Sequence, residues 1–146
     1  REAAGIVAMA EGTYLVTRDG LIIKGVESGD PIDFHVVTGV TLKALVGDRE
    51  GATRTIRGAL DLAYDYDRSP LAQRSPLQEV HVEPNGDITL VVGKSGVVLR
   101  MGLPPYRRKL EQAVRTVAEL DRRGAKPDTI MLDDEARPER VVVRMR

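Results

Sequence analysis

Apolar positions recur along this chain with two different periods, and the change from one to the other marks out its elements. Alternation every second residue comes first. A strand-like run spans Glu2 to Met9, with Ile6, Val7 and Met9 among its apolar members. Thr13 to Thr17 and Leu21 to Lys24 then flank Arg18-Asp19-Gly20, whose Gly supplies the positive φ of a tight turn. That pattern predicts a hairpin. Ser28-Gly29-Asp30-Pro31 is a cluster of turn formers and predicts a loop. The following Ile32 to Val37 is compatible with a short strand or an extended segment.

The period then lengthens. Within residues 52–67, Ile56, Ala59, Leu60, Ala63 and Asp67 recur at helical spacing, while Arg54, Arg57, Asp61 and Asp65 fall largely off that stripe. Ser69-Pro70 ends this helix, because the residue before Pro is biased away from helical backbone. Residues 41–47 add a short helical turn ahead of it.

Alternation returns from Gln78 to Glu83, where Val80 and Val82 interleave with Glu79, His81 and Glu83. Pro84-Asn85-Gly86-Asp87 predicts a turn into a strand carrying Ile88, Leu90 and Val92. Lys94-Ser95-Gly96 turns again into Val97 to Met101. Three strands joined by short turns form an antiparallel meander. Pro104-Pro105 is expected to open a second helix, Pro being tolerated in a first turn. Leu110, Ala113, Val114, Val117 and Leu120 line one face of it. Arg122 and Arg123 suit its C-terminal dipole, and Gly124 its stop. Two last strands, Thr129 to Leu132 and Arg140 to Met145, flank an acidic loop. The order β-β-β-α-β-β-β-α-β-β predicts an α+β fold, a largely antiparallel sheet with two amphipathic helices packed on it.

Composition narrows the function. The 146 residues carry 22 Lys and Arg against 22 Asp and Glu, so binding driven by phosphate neutralisation is disfavoured and no nucleic acid partner is expected. Five aromatic residues without Trp make a poor base-stacking platform. With no Cys, disulfides, thiolate nucleophiles and Cys-ligated zinc are excluded. No run approaches the roughly 18 apolar residues of a membrane span.

Candidate chemistry is sparse. Gly93-Lys94-Ser95 resembles the end of a phosphate-binding loop, but that motif needs a Gly where Ile88 stands and a helix where a strand is predicted. Ser69, Ser75 and Ser95 lack a nucleophile-elbow frame. His35 and His81 have no second His one helical turn away. A weak metal site around Glu79, His81 and Glu83 is an alternative reading, as a ligand- or metal-binding domain or an enzyme. A solvated sheet face explains those residues more simply. Asp133-Asp134-Glu135 lacks the Gly-bearing loop of a calcium site. No catalytic residue, cofactor or small-molecule substrate is expected, which leaves a binding or scaffolding domain. The last strand, Val141-Val142-Val143-Arg144-Met145-Arg146, is the feature that favours a partner. At a sheet edge it would accept an added strand, or Arg144 and Arg146 would guard that edge against one.

In order along the chain, several segments resemble the FtsQ/DivIB family of bacterial cell-division proteins. Tyr14-Leu15-Val16-Thr17-Arg18-Asp19-Gly20-Leu21-Ile22 is similar to the hairpin that follows that family's POTRA domain. Pro31 through Val36-Val37-Thr38-Gly39 resembles its "lPvltG" segment, and the meander from Leu77 to Leu103 its "l-x-L-x-x-G-x-x-v-x-LG" block. Lys109-Leu110 fits its "eKL", and Val141-Val142-Val143-Arg144 its "rvvvR". The resemblance implies that residues 1–10 are the tail of an upstream POTRA-like domain and that residues 11–146 form an FtsQ-type β domain. The start at Arg1 then marks a cut within a longer protein. Also implied is a non-enzymatic divisome scaffold that binds FtsB/FtsL-type partners through Val141, Val142, Val143 and Arg144. Its parent would be a single-pass inner-membrane protein, anchored by an upstream helix, with this domain periplasmic at the division septum. One departure stands out. Met131-Leu132-Asp133-Asp134 puts acid where the family has Arg and lacks the aromatic residue that follows, which points to a partner with a more basic binding segment.

Overall fold

The computed structural model describes residues 2–146; Arg1, the first residue of the segment expected to end a preceding domain, lies outside them. Four strands precede the first helix: β1 (Gly5–Met9), β2 (Gly12–Val16), β3 (Ile22–Gly25) and β4 (Val36–Thr38). The helices α1 (Leu42–Gly47), α2 (Arg49–Asp67) and α3 (Leu71–Arg74) follow. The meander β5 (Leu77–Val82), β6 (Ile88–Val92) and β7 (Val97–Gly102) leads into α4 (Arg107–Arg122), then β8 (Pro127–Met131) and β9 (Val142–Met145). The α+β fold is as expected, with two long helices on the sheet and two short ones besides.

Local chemistry sets the helix ends. Thr41 accepts a hydrogen bond from Ala44 N (3.0 Å), and Asp48 accepts one from Gly51 N (3.0 Å), so each side chain satisfies a backbone donor left over by its helix. Asp48 thereby closes α1 and starts α2, three residues earlier than the apolar stripe indicates. Buried Leu62 and Tyr66 widen that stripe, whereas Asp67 is exposed. Pro104 and Pro105 lie before α4 rather than in its first turn; Tyr106 is its N-cap.

All nine strands form one sheet in the order β3-β2-β1-β4-β5-β6-β7-β8-β9. The two hairpins β1–β2–β3 and β5–β6–β7 are antiparallel, as is β8–β9. Three pairings are parallel: β1–β4, β4–β5 and β7–β8. The last two follow from the helices, since parallel neighbours need a long crossover and α1–α3 and α4 supply it. The segment left open as strand or extended chain thus contributes β4, the strand joining the two halves.

Register places one row of side chains across the sheet: Val7, Val37, Val80, Leu90, Leu99, Ile130 and Val143. The first six are fully buried under α2 and α4, meeting Ile56, Ala59 and Leu60 from one and Leu110 and Ala113 from the other. Burial of each such side chain contributes roughly 1.5–3 kcal/mol. Val143, at the end of the row, is only partly buried. Side chains one residue along point to the opposite, open face, where Thr38, His81, Thr89, Arg100, Met131 and Val142 form the neighbouring row.

Candidate partner-binding edge

The terminal Val-rich segment forms β9, which hydrogen-bonds to β8 on one side and, among the described residues, to no strand on the other. The strand starts at Val142, so Val141 stands just ahead of it rather than within it. Pleating divides the expected partner-binding residues between two faces. Val141 and Val143 pack against the core, beside the half-buried Val114 and Val117 of α4. Val142 and Arg144 lie on the open face, Val142 opposite Met131 and Arg144 opposite Thr129. Arg146 N donates to Lys126 O at 3.2 Å. Because amides alternate along a strand, those of Arg144 and Val142 also point at β8, and those of Val143 and Met145 point out to the free edge.

The connection from β8 to β9 is held in place by α4. Lys109 is buried, and its ammonium donates to Met101 O (2.9 Å), Leu103 O (2.6 Å) and Glu135 Oε1 (3.0 Å). One turn on, Gln112 Nε2 donates to Pro138 O at 3.0 Å. Sequence reading treats Lys109 only as part of a motif and passes over Gln112, since polar residues in a helix usually face water. The available signal was spacing: Lys109 precedes Ala113 by four residues and therefore shares the buried face. The ammonium of Lys109 holds the Glu135 carboxyl below its ordinary pKa, and the hydrogen bond is the main cause.

Every acid of the Asp133-Asp134-Glu135 run has its own base: Arg100 at 3.4 Å, Arg140 at 3.6 Å and Lys109 at 3.0 Å respectively. The expectation of a more basic partner rested on acid standing where the family has Arg; the structure pairs each of these three acids with a base of the chain itself.

The alternative site does not converge. Glu79 lies 3.8 Å from His81 Nδ1 and Glu83 3.7 Å from Nε2, so the two carboxylates flank opposite sides of the ring. The Thr38 hydroxyl already occupies Glu79 Oε2 (2.5 Å) and lies 2.8 Å from His81 Nδ1. Metal ligands must meet about 2 Å from one point, and among the described residues no group of three does so. Beside Glu83 a shallow groove of 540 Å³ crosses the open face, lined by Thr89, Val98, Arg100 and Thr129, with Arg144 of β9 at its far side. Gly93 to Gly96 forms the hairpin turn between β6 and β7, Gly96 N donating to Gly93 O at 3.2 Å. The other singled-out histidine, His35, lies 2.6 Å from Asp67 and stacks edge-on against Tyr64, away from both the groove and β9.

No family model matches this chain. It is 32% identical over 145 residues to Cell division protein FtsQ of Anaeromyxobacter sp. (strain K), covering 99% of this chain and 49% of that protein. Cell division protein FtsQ of Myxococcus fulvus (strain ATCC BAA-855 / HW-1) is 33% identical over 132 residues, covering 90% of this chain and 46% of its own. The protein of the same name from Geotalea daltonii (strain DSM 22248 / JCM 15807 / FRC-32) is 25% identical over 120 residues, 82% of this chain and 44% of its own. The chain thus spans about half the length of the curated relatives it matches. Among the described residues no helix is long and apolar enough to cross a membrane.

Proposed function

We propose, since this chain belongs to the FtsQ/DivIB family of bacterial cell-division proteins, that it is a non-enzymatic scaffold domain capturing FtsB/FtsL-type division proteins by strand addition to β9. The observation that carries this reading is the free edge of β9, where the amides of Val143 and Met145 point away from the sheet. An added strand supplies main-chain hydrogen bonds there, and its side chains extend the core row beyond Val143. In the parent protein the domain follows a membrane helix and a POTRA-like domain, whose tail runs into β1, and it works in the periplasm at the septum. Val141, Val142, Val143 and Arg144 make the contact.

Titration of the chain with the matching FtsB-like segment, followed by NMR, tests the reading. Shifts in the amides of residues 139–146, with β1 to β5 unmoved, are expected. Saturating segment without such shifts would show that Arg144 and Arg146 guard the edge instead.

A further inference from the structure

We infer that the strand added to β9 has an alternating pattern of apolar and acidic residues, and that Arg144 selects the acids. The inference deepens the strand-addition reading and rests on it. Two observations converge on it.

The first is the pleat. A strand paired with β9 continues both of its faces. On the helix side it meets Val143, the 45% exposed Met145 and the half-buried Val114 and Val117, so residues pointing that way are apolar. On the open side it meets Val142 and Arg144.

The second is the distribution of unpaired charge. Of the acids near the edge, Asp133, Asp134 and Glu135 are engaged by internal bases, and Asp128, at the irregularity of β8, accepts, among the described residues, only from the Thr129 hydroxyl (3.3 Å). Arg144 is exposed and, among the described residues, makes no ion pair. Among the described residues the Arg146 side chain donates only to the Ser95 carbonyl (2.6 Å). Of the three arginines in residues 139–146, Arg140 pairs with Asp134, which leaves Arg144 and Arg146 against Glu139 ahead of the strand. Glu83 and Asp87 also face the groove, but they flank the β5–β6 turn. That turn lies three strand spacings from β9, roughly 14 Å, beyond the ~8 Å screening length at physiological salt. The nearest charge to an open-face side chain of the added strand is therefore the Arg144 guanidinium on the strand it pairs with, with Asp128 one strand further in and Arg100 two.

The test uses three short peptides of one apolar framework whose alternate positions carry Glu, Gln or Lys, titrated into the whole chain. The Glu peptide is expected to bind roughly three- to tenfold more tightly than the Lys peptide, with the margin shrinking as salt is raised. Arg144→Glu, an exposed change that leaves the amide spectrum of β1 to β8 in place, should reverse the order. Equal binding of all three peptides, or an order unchanged by Arg144→Glu, overturns the inference while leaving strand addition intact. If no peptide shifts the β9 amides, strand addition itself fails and the inference with it.

Discussion

Lys109 and Glu135 form an ion pair with unequal burial: the lysine side chain is 4% exposed, the glutamate 54%, and Nζ to Oε1 is 3.0 Å. The lysine is satisfied by two carbonyls besides, so it behaves as a buried three-way junction between β7, α4 and the loop before β9. Removing it takes this donor from the buried Met101 O and from the part-buried Leu103 O. Lys109→Met, which keeps the volume, should cost about 2–3 kcal/mol and lower Tm by roughly 5–10 °C in a domain of this size. Glu135→Gln, at the exposed end, should cost under about 1 kcal/mol. Thermal unfolding followed by circular dichroism measures both, and equal losses would contradict the asymmetry.

The same pair sets a pH dependence. A carboxyl whose pKa is lowered on folding contributes stability that is complete above its unfolded value, about 4.3. That contribution is lost as pH falls through the lower, folded value. Leu103 N donates to the same Glu135 oxygen at 3.4 Å and reports on it. Its amide shift should therefore titrate with a midpoint below the ordinary glutamate range, and the titration should vanish in Glu135→Gln. A midpoint at or above that range would mean the pair does not hold in solution.

Gly39 follows the joining strand β4 and packs against Val82 at the end of β5. Its φ is +89°, and a Cβ placed there would stand 2.0 Å from Val82 O, a backbone atom that cannot move aside. Gly39→Ala therefore combines a left-handed backbone, unfavourable by about 1–3 kcal/mol, with a main-chain clash. A fall of more than 2 kcal/mol on the order of that strain, read as a lower urea midpoint at unchanged slope, is the expected result.

Proline scanning separates the two sides of β9. Val142 N points at β8, so Val142→Pro should detach the strand and speed hydrogen exchange across residues 142–146. Val143 N points outward, where Pro is tolerated at a sheet edge. Val143→Pro should leave the fold intact and abolish partner capture. Wild-type capture by a folded Val143→Pro protein would count against strand addition.

Much of the fold is legible in the chain because it rests on local physics. Period-2 runs, the turn at Gly20 and the Pro-Asn-Gly-Asp turn specify the hairpins without help from elsewhere. Gly20 has φ +89°, and Gly20 N donates to Thr17 O at 3.0 Å. Boundaries were less legible: Asp48 caps α2 through its own side chain, so the helix begins before its apolar stripe does. The burial of Lys109 showed only in its spacing from Ala113, and that of Gln112 not at all, because a polar residue becomes a core residue only when a distant loop brings acceptors to it.

By itself the sequence determined the kind and order of the main elements, eight of the nine strands and both long helices, the want of a local catalytic motif in the chain and the likeness to a division-protein family. Each follows from residues close together in the chain or from their order. Tertiary structure alone decided that β4 enters in parallel between β1 and β5, that β9 ends the sheet, and that Asp133, Asp134 and Glu135 are neutralised from within. Those are matters of which strand lies beside which and which charge meets which. They depend on crossovers spanning tens of residues, and no local periodicity records them.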